Sequence, residues 1–355
     1  MIIQKFMVGA AIAFVMQGCE QPAQLTAPTP TVVTKAELRQ YVASVKDNLI
    51  FVEGGEFLMG DFGLQYAPER APYDRDQDSK PLHRIELSSY SINKFKVTNA
   101  EFQFYIKYNK LKLRKDGSVV QSEWDSINLP PNIPAHIDWY EAEQYCNWLA
   151  SITDLPFALP TEAQWEYAAR SRGQFLMVAT DDGTYKAEPL SLLTEKYSPK
   201  GINISTNGDR LDFAKSSGWK TGFYTPLPVD KFPPNPLGLY SMSDNGYEWT
   251  KDWYDADYYN YSPVRNPQGP ESPVHKDSFG NFTKVMRGQS DANPYWGGGV
   301  NVHRTAKDPL GRFAEKGTIV LDSSTMRCVV NSPGPVTSSS MNKPDADSSK
   351  LEVRQ

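Results

Sequence analysis

The chain is poor in cysteine, in histidine and in net charge. Its 355 residues hold 3 Cys and 4 His, and 37 basic against 42 acidic side chains leave a net charge of −5. A mildly acidic chain lacks the electrostatic footprint of a nucleic-acid partner. The histidines, His83, His136, His275 and His303, are scattered rather than clustered at metal-ligand spacing. The glycine triplet of "YWGGGVNVHRT", Gly297 to Gly299, neither leads a strand into a helix nor carries the Lys-Ser/Thr of a phosphate loop. That excludes nucleotide binding there. What is plentiful is 27 Pro, 24 Gly, 16 Phe, 19 Tyr and 8 Trp, the mark of a loop-rich globular protein with a large aromatic core.

The first nineteen residues, "MIIQKFMVGAAIAFVMQGC", place Lys5 ahead of an apolar run from Phe6 to Met16. The run is too short to span a bilayer and has the position of a signal-peptide core. Val15-Met16-Gln17-Gly18-Cys19 resembles a bacterial lipobox, which implies removal of residues 1–18, a lipid on Cys19 and a membrane-held chain outside the cytoplasm. Glu20 replaces the Asp typical of inner-membrane retention, so the expectation is the outer membrane, facing the periplasm. Processing removes one charged residue, Lys5, and leaves 36 − 42 = −6. It also leaves Cys146 and Cys328. In an oxidising compartment such a pair most simply forms a disulfide, and two separately buried thiols are the alternative.

Residues 19–33 are rich in Pro, Thr and Ala and read as a flexible tether. A leading helix is expected over 34–48, capped by Thr34 and burying Leu38, Tyr41, Val42, Val45 and Leu49. "LIFVEGGEFLMG" reads as two strands around a Gly-Gly turn, and "HRIELSSYSINKFKV" alternates as a strand does. Thr98 caps a helix with Phe102, Tyr105 and Ile106 on one face. "DWYEAEQYCNWLASI" predicts a second helix with Tyr140, Tyr145, Trp148 and Leu149 inward. "LPTEAQWEYAARSRG" predicts a third, with Thr161 and Gln164 as a capping box. Helical periodicity fades after residue 173, and residues 331–355 read as a disordered tail. The expected class is α+β, with one domain over 34–330 and no internal repeat.

Several longer motifs sit in one order: "VEGGEFLMGD", "KFKVTNAEFQFYI", "DWYEAEQYCNWL" with "LPTEAQWEYAAR", "NPLGLYSMSDNGYEWTKDWY", "KVMRGQS" and "MRCVV". Together they resemble the formylglycine-generating, sulfatase-modifying family over roughly residues 49 to 330. The resemblance implies a fold like the C-type lectins, with few regular elements and long ordered loops. It matches Cys146 and Cys328 to two cysteines bridged in some members. It implies a calcium loop with Ser241, the Asp244 and Gly246 carbonyls and Glu248, all hard oxygens. A weaker calcium set would be Asn203, the carbonyls of Ile204 and Phe223, and Thr221, which stands where an acid is expected.

The family's enzymes oxidise a client cysteine with O₂ through a Cu(I)-binding pair of cysteines between the Arg-Gly-Gly-Ser strand and the last motif. Soft thiolates are what Cu(I) requires. Here Ser290 to Thr325 contains no cysteine, and positions near Trp296 or Gly298 and near Asn301 or His303 stand in the pair's place. The resemblance therefore carries over neither copper nor formylglycine generation. Arg287, His303 and Arg304 remain as catalytic candidates for other chemistry, His303 as an acid/base or anion contact. Relatives that mature pyoverdine-type siderophores make a periplasmic enzyme on a small or peptidic substrate the alternative. The leading expectation is a non-catalytic binding, assembly or regulatory module, comparable to relatives attached to gliding or type VI secretion machinery. Its partner would be an envelope protein or glycan. "DWYDADYYNYSPVRNP" offers Tyr258, Tyr259, Tyr261 and Arg265 with interface composition, or tyrosines that pack a loop.

Overall fold

A turn of helix capped by its own side chains opens the fold. Thr34 Oγ1 accepts the Glu37 amide at 3.2 Å while Glu37 Oε2 accepts the Thr34 amide at 2.7 Å. Helix α1 (Lys35–Asp47) follows and buries Leu38, Val42 and Val45. The computed structural model describes residues 32–112, 121–189, 199–222, 225–292, 298–313, 318–319 and 323–337. Cys19, the signal run and nearly all of the tether therefore lie outside the described residues, as do Phe223, Trp296 and residues 338–355.

The chain continues through β1 (Leu49–Val52), β2 (Gly55–Met59), α2 (Gly63–Tyr66), β3 (His83–Leu87), β4 (Tyr90–Asn93), α3 (Asn99–Tyr108) and α4 (Gln121–Asn128). Then come α5 (Trp139–Thr153), β5 (Phe157–Ala158), α6 (Glu162–Ala169), α7 (Asn207–Ser217), β6 (Gly246–Trp253), β7 (Lys284–Gln289) and β8 (Thr305–Lys307). Short strands β9 (Arg312–Phe313), β10 (Thr318–Ile319), β11 (Ser324–Thr325) and β12 (Val329–Val330) complete the order. Two four-stranded sheets, β1-β4-β12-β5 and β11-β6-β7-β8, carry the molecule, with β2-β3 as a separate ribbon. The two strands around the Gly-Gly turn do not pair with each other: β1 pairs with β4 and β2 with β3. Gly54 allows the crossing, since a Cβ there would sit 2.3 Å from the Leu87 carbonyl oxygen.

One core gathers α1, α3 and α5 around Phe102, Tyr145, Trp148 and Leu149; the other gathers Trp165, Tyr90, Ile92 and Met242. Cys146 on α5 and Cys328 beside β12 are joined, with Cα atoms 5.8 Å apart, so the bridge ties a helix of the first core to a central strand. Its sequence separation of 182 gives a stabilisation of about 5 kcal/mol in the chain-entropy account.

Three expectations are corrected. Tyr140 points outward at 42% exposure, and Trp139 takes the inward place, donating from Nε1 to the Thr250 carbonyl at 2.8 Å. Helix α7 exists where periodicity had faded: a Thr206–Asp209 capping box starts it, yet it buries only Gly208, Arg210 and Ala214. The ordered chain passes residue 330, where Asn331 donates its amide to the Pro156 carbonyl and Val336 packs on the first core.

Candidate functional site

Strand β6 brings Glu248, fully buried, between β11 and β7. Lys96 Nζ reaches Glu248 Oε1 at 2.7 Å and the Gly246 carbonyl at 2.8 Å. Arg327 grips both carboxylate oxygens, Nε to Oε2 at 2.6 Å and Nη2 to Oε1 at 2.8 Å, and Trp165 Nε1 donates to Oε2 at 3.0 Å. Burial opposes the charge, but Arg327 and Lys96 overcome it and hold Glu248 down at about 2. Burial pushes Lys96 down to about 8 against the pull of Glu248.

These are the groups that the calcium expectation assigned, and they do not fit the ion. An ammonium already takes the Gly246 carbonyl and Glu248, and Ser241 Oγ faces the Val229 carbonyl at 3.4 Å. The charge that a cation would supply comes from Lys96. In the second set, Asn203 donates to Asp181 and Thr184 and accepts the Lys186 amide, while Thr221 bonds Thr225. Both residues act as loop staples, which irregular backbone requires.

Helix α6 places Glu162 and Glu166 one turn apart on a buried face. Arg304 clasps Glu162 through Nε at 2.7 Å and Nη2 at 3.0 Å, and Arg287 bridges Glu162 and Glu166 at 2.7 Å each. Arg170 adds a bond to Glu166 at 2.8 Å. Burial opposes ionisation of Glu162, yet Arg304 and Arg287 keep it below the ordinary carboxylate range. Arg287 and Arg304, two of the catalytic candidates, are thus structural cations without exposure to solvent. Tyr258 and Tyr259 are likewise buried, with Tyr259 stacked under Arg304, so they are not the interface expected of them. Tyr261 and Arg265 stay exposed; Arg265 pairs with Glu86 at 2.7 Å.

His303 is different. It is partly exposed at the wall of a cavity of about 530 Å³ that it shares with Asp76, Asp78, Tyr254, Asp257 and Arg304. Its Nδ1 lies 3.3 Å from Asp74 Oδ1 and its Nε2 3.3 Å from Thr305 Oγ1. Burial raises Asp78, which the Tyr254 hydroxyl bonds at 2.6 Å to Oδ2. Asp252, whose Oδ2 accepts the Glu162 amide at 2.9 Å, is pushed up to about 7 by burial and by the Glu162 charge.

Of the positions standing in place of the cysteine pair, Gly298, Asn301 and His303 lie among the described residues. Gly298 and Gly299 have φ of +100° and +69°, and a Cβ on Gly299 would meet the Ser243 carbonyl at 2.2 Å. Asn301, buried, donates to the Leu176 carbonyl at 2.9 Å and gives its own carbonyl to Arg287. Sequence reading missed Lys96, Asp74, Asp76, Asp78, Glu162 and Glu166. The alternating Asp74-Arg75-Asp76-Gln77-Asp78 and the Glu pair four apart were the available signals.

A family model, sulfatase-modifying factor enzyme 1-like domain, matches residues 34–318. The chain is 29% identical over 254 residues to the serine/threonine-protein kinase pkn1 of Chlamydia caviae, covering 67% of this chain but 33% of that protein. It therefore spans about a third of that relative's length. It is 27% identical over 275 residues to the formylglycine-generating enzyme of Streptomyces coelicolor, covering 67% of this chain and 76% of the enzyme. The solved structure of PvdO from Pseudomonas aeruginosa superposes with a TM-score of 0.50 at 21% identity, over 79% of this chain and 93% of that one. Two sheets, long stapled loops and these matches agree: the chain belongs to the sulfatase-modifying factor enzyme 1-like family, with its α+β fold.

Proposed function

We propose that the chain is an envelope-tethered lipoprotein whose family domain serves as a binding, assembly or regulatory module for an envelope protein or glycan. It does so without the copper-cysteine oxidation of the family. The observation that carries this reading is the state of the former catalytic region. Ser290 to Thr325 contains no cysteine, Asn301 is a buried loop staple, and Arg287 and Arg304 are both clamped by glutamates. What faces solvent beside them is a cavity lined by Asp76, Asp78, Tyr254, Asp257 and His303.

Purified protein is expected neither to hold Cu(I) tightly nor to convert a Cys-x-Pro-x-Arg peptide to an aldehyde; robust turnover of that peptide would overturn the reading. Capture from solubilised envelopes should recover one stoichiometric partner. Asp257→Lys, at the exposed rim of the cavity, should release it. The second reading is a periplasmic enzyme with non-cysteine chemistry, and His303 favours it. An imidazole that lines the cavity beside a buried carboxylate has the arrangement of an oriented acid/base. A turnover abolished by His303→Ala would establish that reading instead.

A further inference from the structure

The loop before β3 spaces three carboxylates at alternate positions, Asp74, Asp76 and Asp78. One ligand atom from each of Asp74, Asp76 and His303 lies within 4.8 Å of the others. The bonds among them are long: Asp74 Oδ1 accepts the Asp76 amide at 3.2 Å and faces His303 Nδ1 at 3.3 Å. A second observation is independent of that spacing. Asp78 Oδ1 is buried and meets no donor among the described residues, in a residue only 7% exposed that lines the same cavity as Asp76 and His303. Buried carboxylate oxygens without a donor are costly, and a cation is what compensates them. Arg304 does not fill the role, because its guanidinium is bonded to Glu162 and to the Asp78 and Asp255 carbonyls.

We propose that Asp74, Asp76 and His303 bind a divalent first-row metal ion at the mouth of the cavity, with Asp78 adding negative charge from its wall. One imidazole with two carboxylates selects ions of the Mn²⁺, Fe²⁺ or Zn²⁺ kind over Ca²⁺, whose sites are built from oxygen alone. Three protein donors leave coordination positions open toward the cavity, where an oxygen-bearing ligand can complete the shell. The ion differs from the family's thiolate-held copper, and its binding does not depend on the binding-module reading.

The test is titration of Mn²⁺ into the metal-free full chain, followed by calorimetry and by the loss of the free-ion electron paramagnetic resonance signal. One saturable Mn²⁺ per chain is expected. Asp76→Ala and His303→Ala should each weaken it by more than the roughly 100-fold that is the upper end of an outer-shell change. Asp76 is exposed, so its variant keeps the fold, and an unchanged melting midpoint without metal verifies this. Absence of saturable binding, or binding unaltered in both variants, would overturn the proposal.

Discussion

Two acidic centres of this molecule solve the problem of a buried carboxylate in opposite ways. At Glu248 both oxygens are saturated by Lys96, Arg327 and Trp165, and the protein supplies its own cation. At Asp78, which lines an open cavity with Asp76 and His303, one oxygen meets no donor among the described residues. The first arrangement is closed, with Lys96, Glu248 and Arg327 all removed from solvent. The second has spare negative charge and a route for a ligand to reach it. The position that the resemblance assigned to an ion holds a salt bridge, and the acidic loop before β3 is where a metal ion is proposed to bind.

The largest effect should come from breaking the closed centre. Glu248→Ala strands two buried cations and is expected to cost about 3–5 kcal/mol in urea denaturation; a loss below roughly 1 kcal/mol would mean that the centre is not closed. Lys96→Ala comes next, at about 1.5–3 kcal/mol, because Arg327 still holds Glu248 and what is lost is a charged hydrogen bond. It also frees the Gly246 carbonyl and Glu248, so calcium should raise the melting midpoint of this variant and leave the wild type unmoved. Calcium sensitivity in the wild type would erase the contrast. The smallest effects concern pH. Glu248, held at about 2 against an ordinary 4.5, contributes stability above pH 4.5 that is lost as pH falls toward 2. Asp78 has the opposite sign: its raised pKa means that stability declines as pH rises past 3.8. Melting curves of Glu248→Gln and Asp78→Asn should therefore flatten opposite limbs of the pH profile.

Much of the scaffold was legible because local chemistry dictates it. Thr34, Thr98 and Thr161 announce helices as N-caps, and all three helices form as read, with the expected capping box at Thr161 and further ones at Thr34 and Thr98. Cys146 and Cys328 pair as the resemblance implied. Helix α7 was hidden because it hangs on a cap and one buried arginine rather than on an apolar stripe. The site was less legible, since its meaning lies in partners far apart in sequence. Lys96 meets Glu248 across 152 positions, and Asp74 meets His303 across 229. Periodicity cannot show that Arg287 and Arg304 are consumed by Glu162 and Glu166, nor that Tyr259 is folded beneath Arg304.

The contrast between the two centres is most directly tested by anomalous scattering from a crystal soaked in Mn²⁺. The account predicts one peak among Asp74, Asp76 and His303 and none beside Glu248. A peak against Glu248 and the Gly246 carbonyl, with Lys96 displaced, would contradict it.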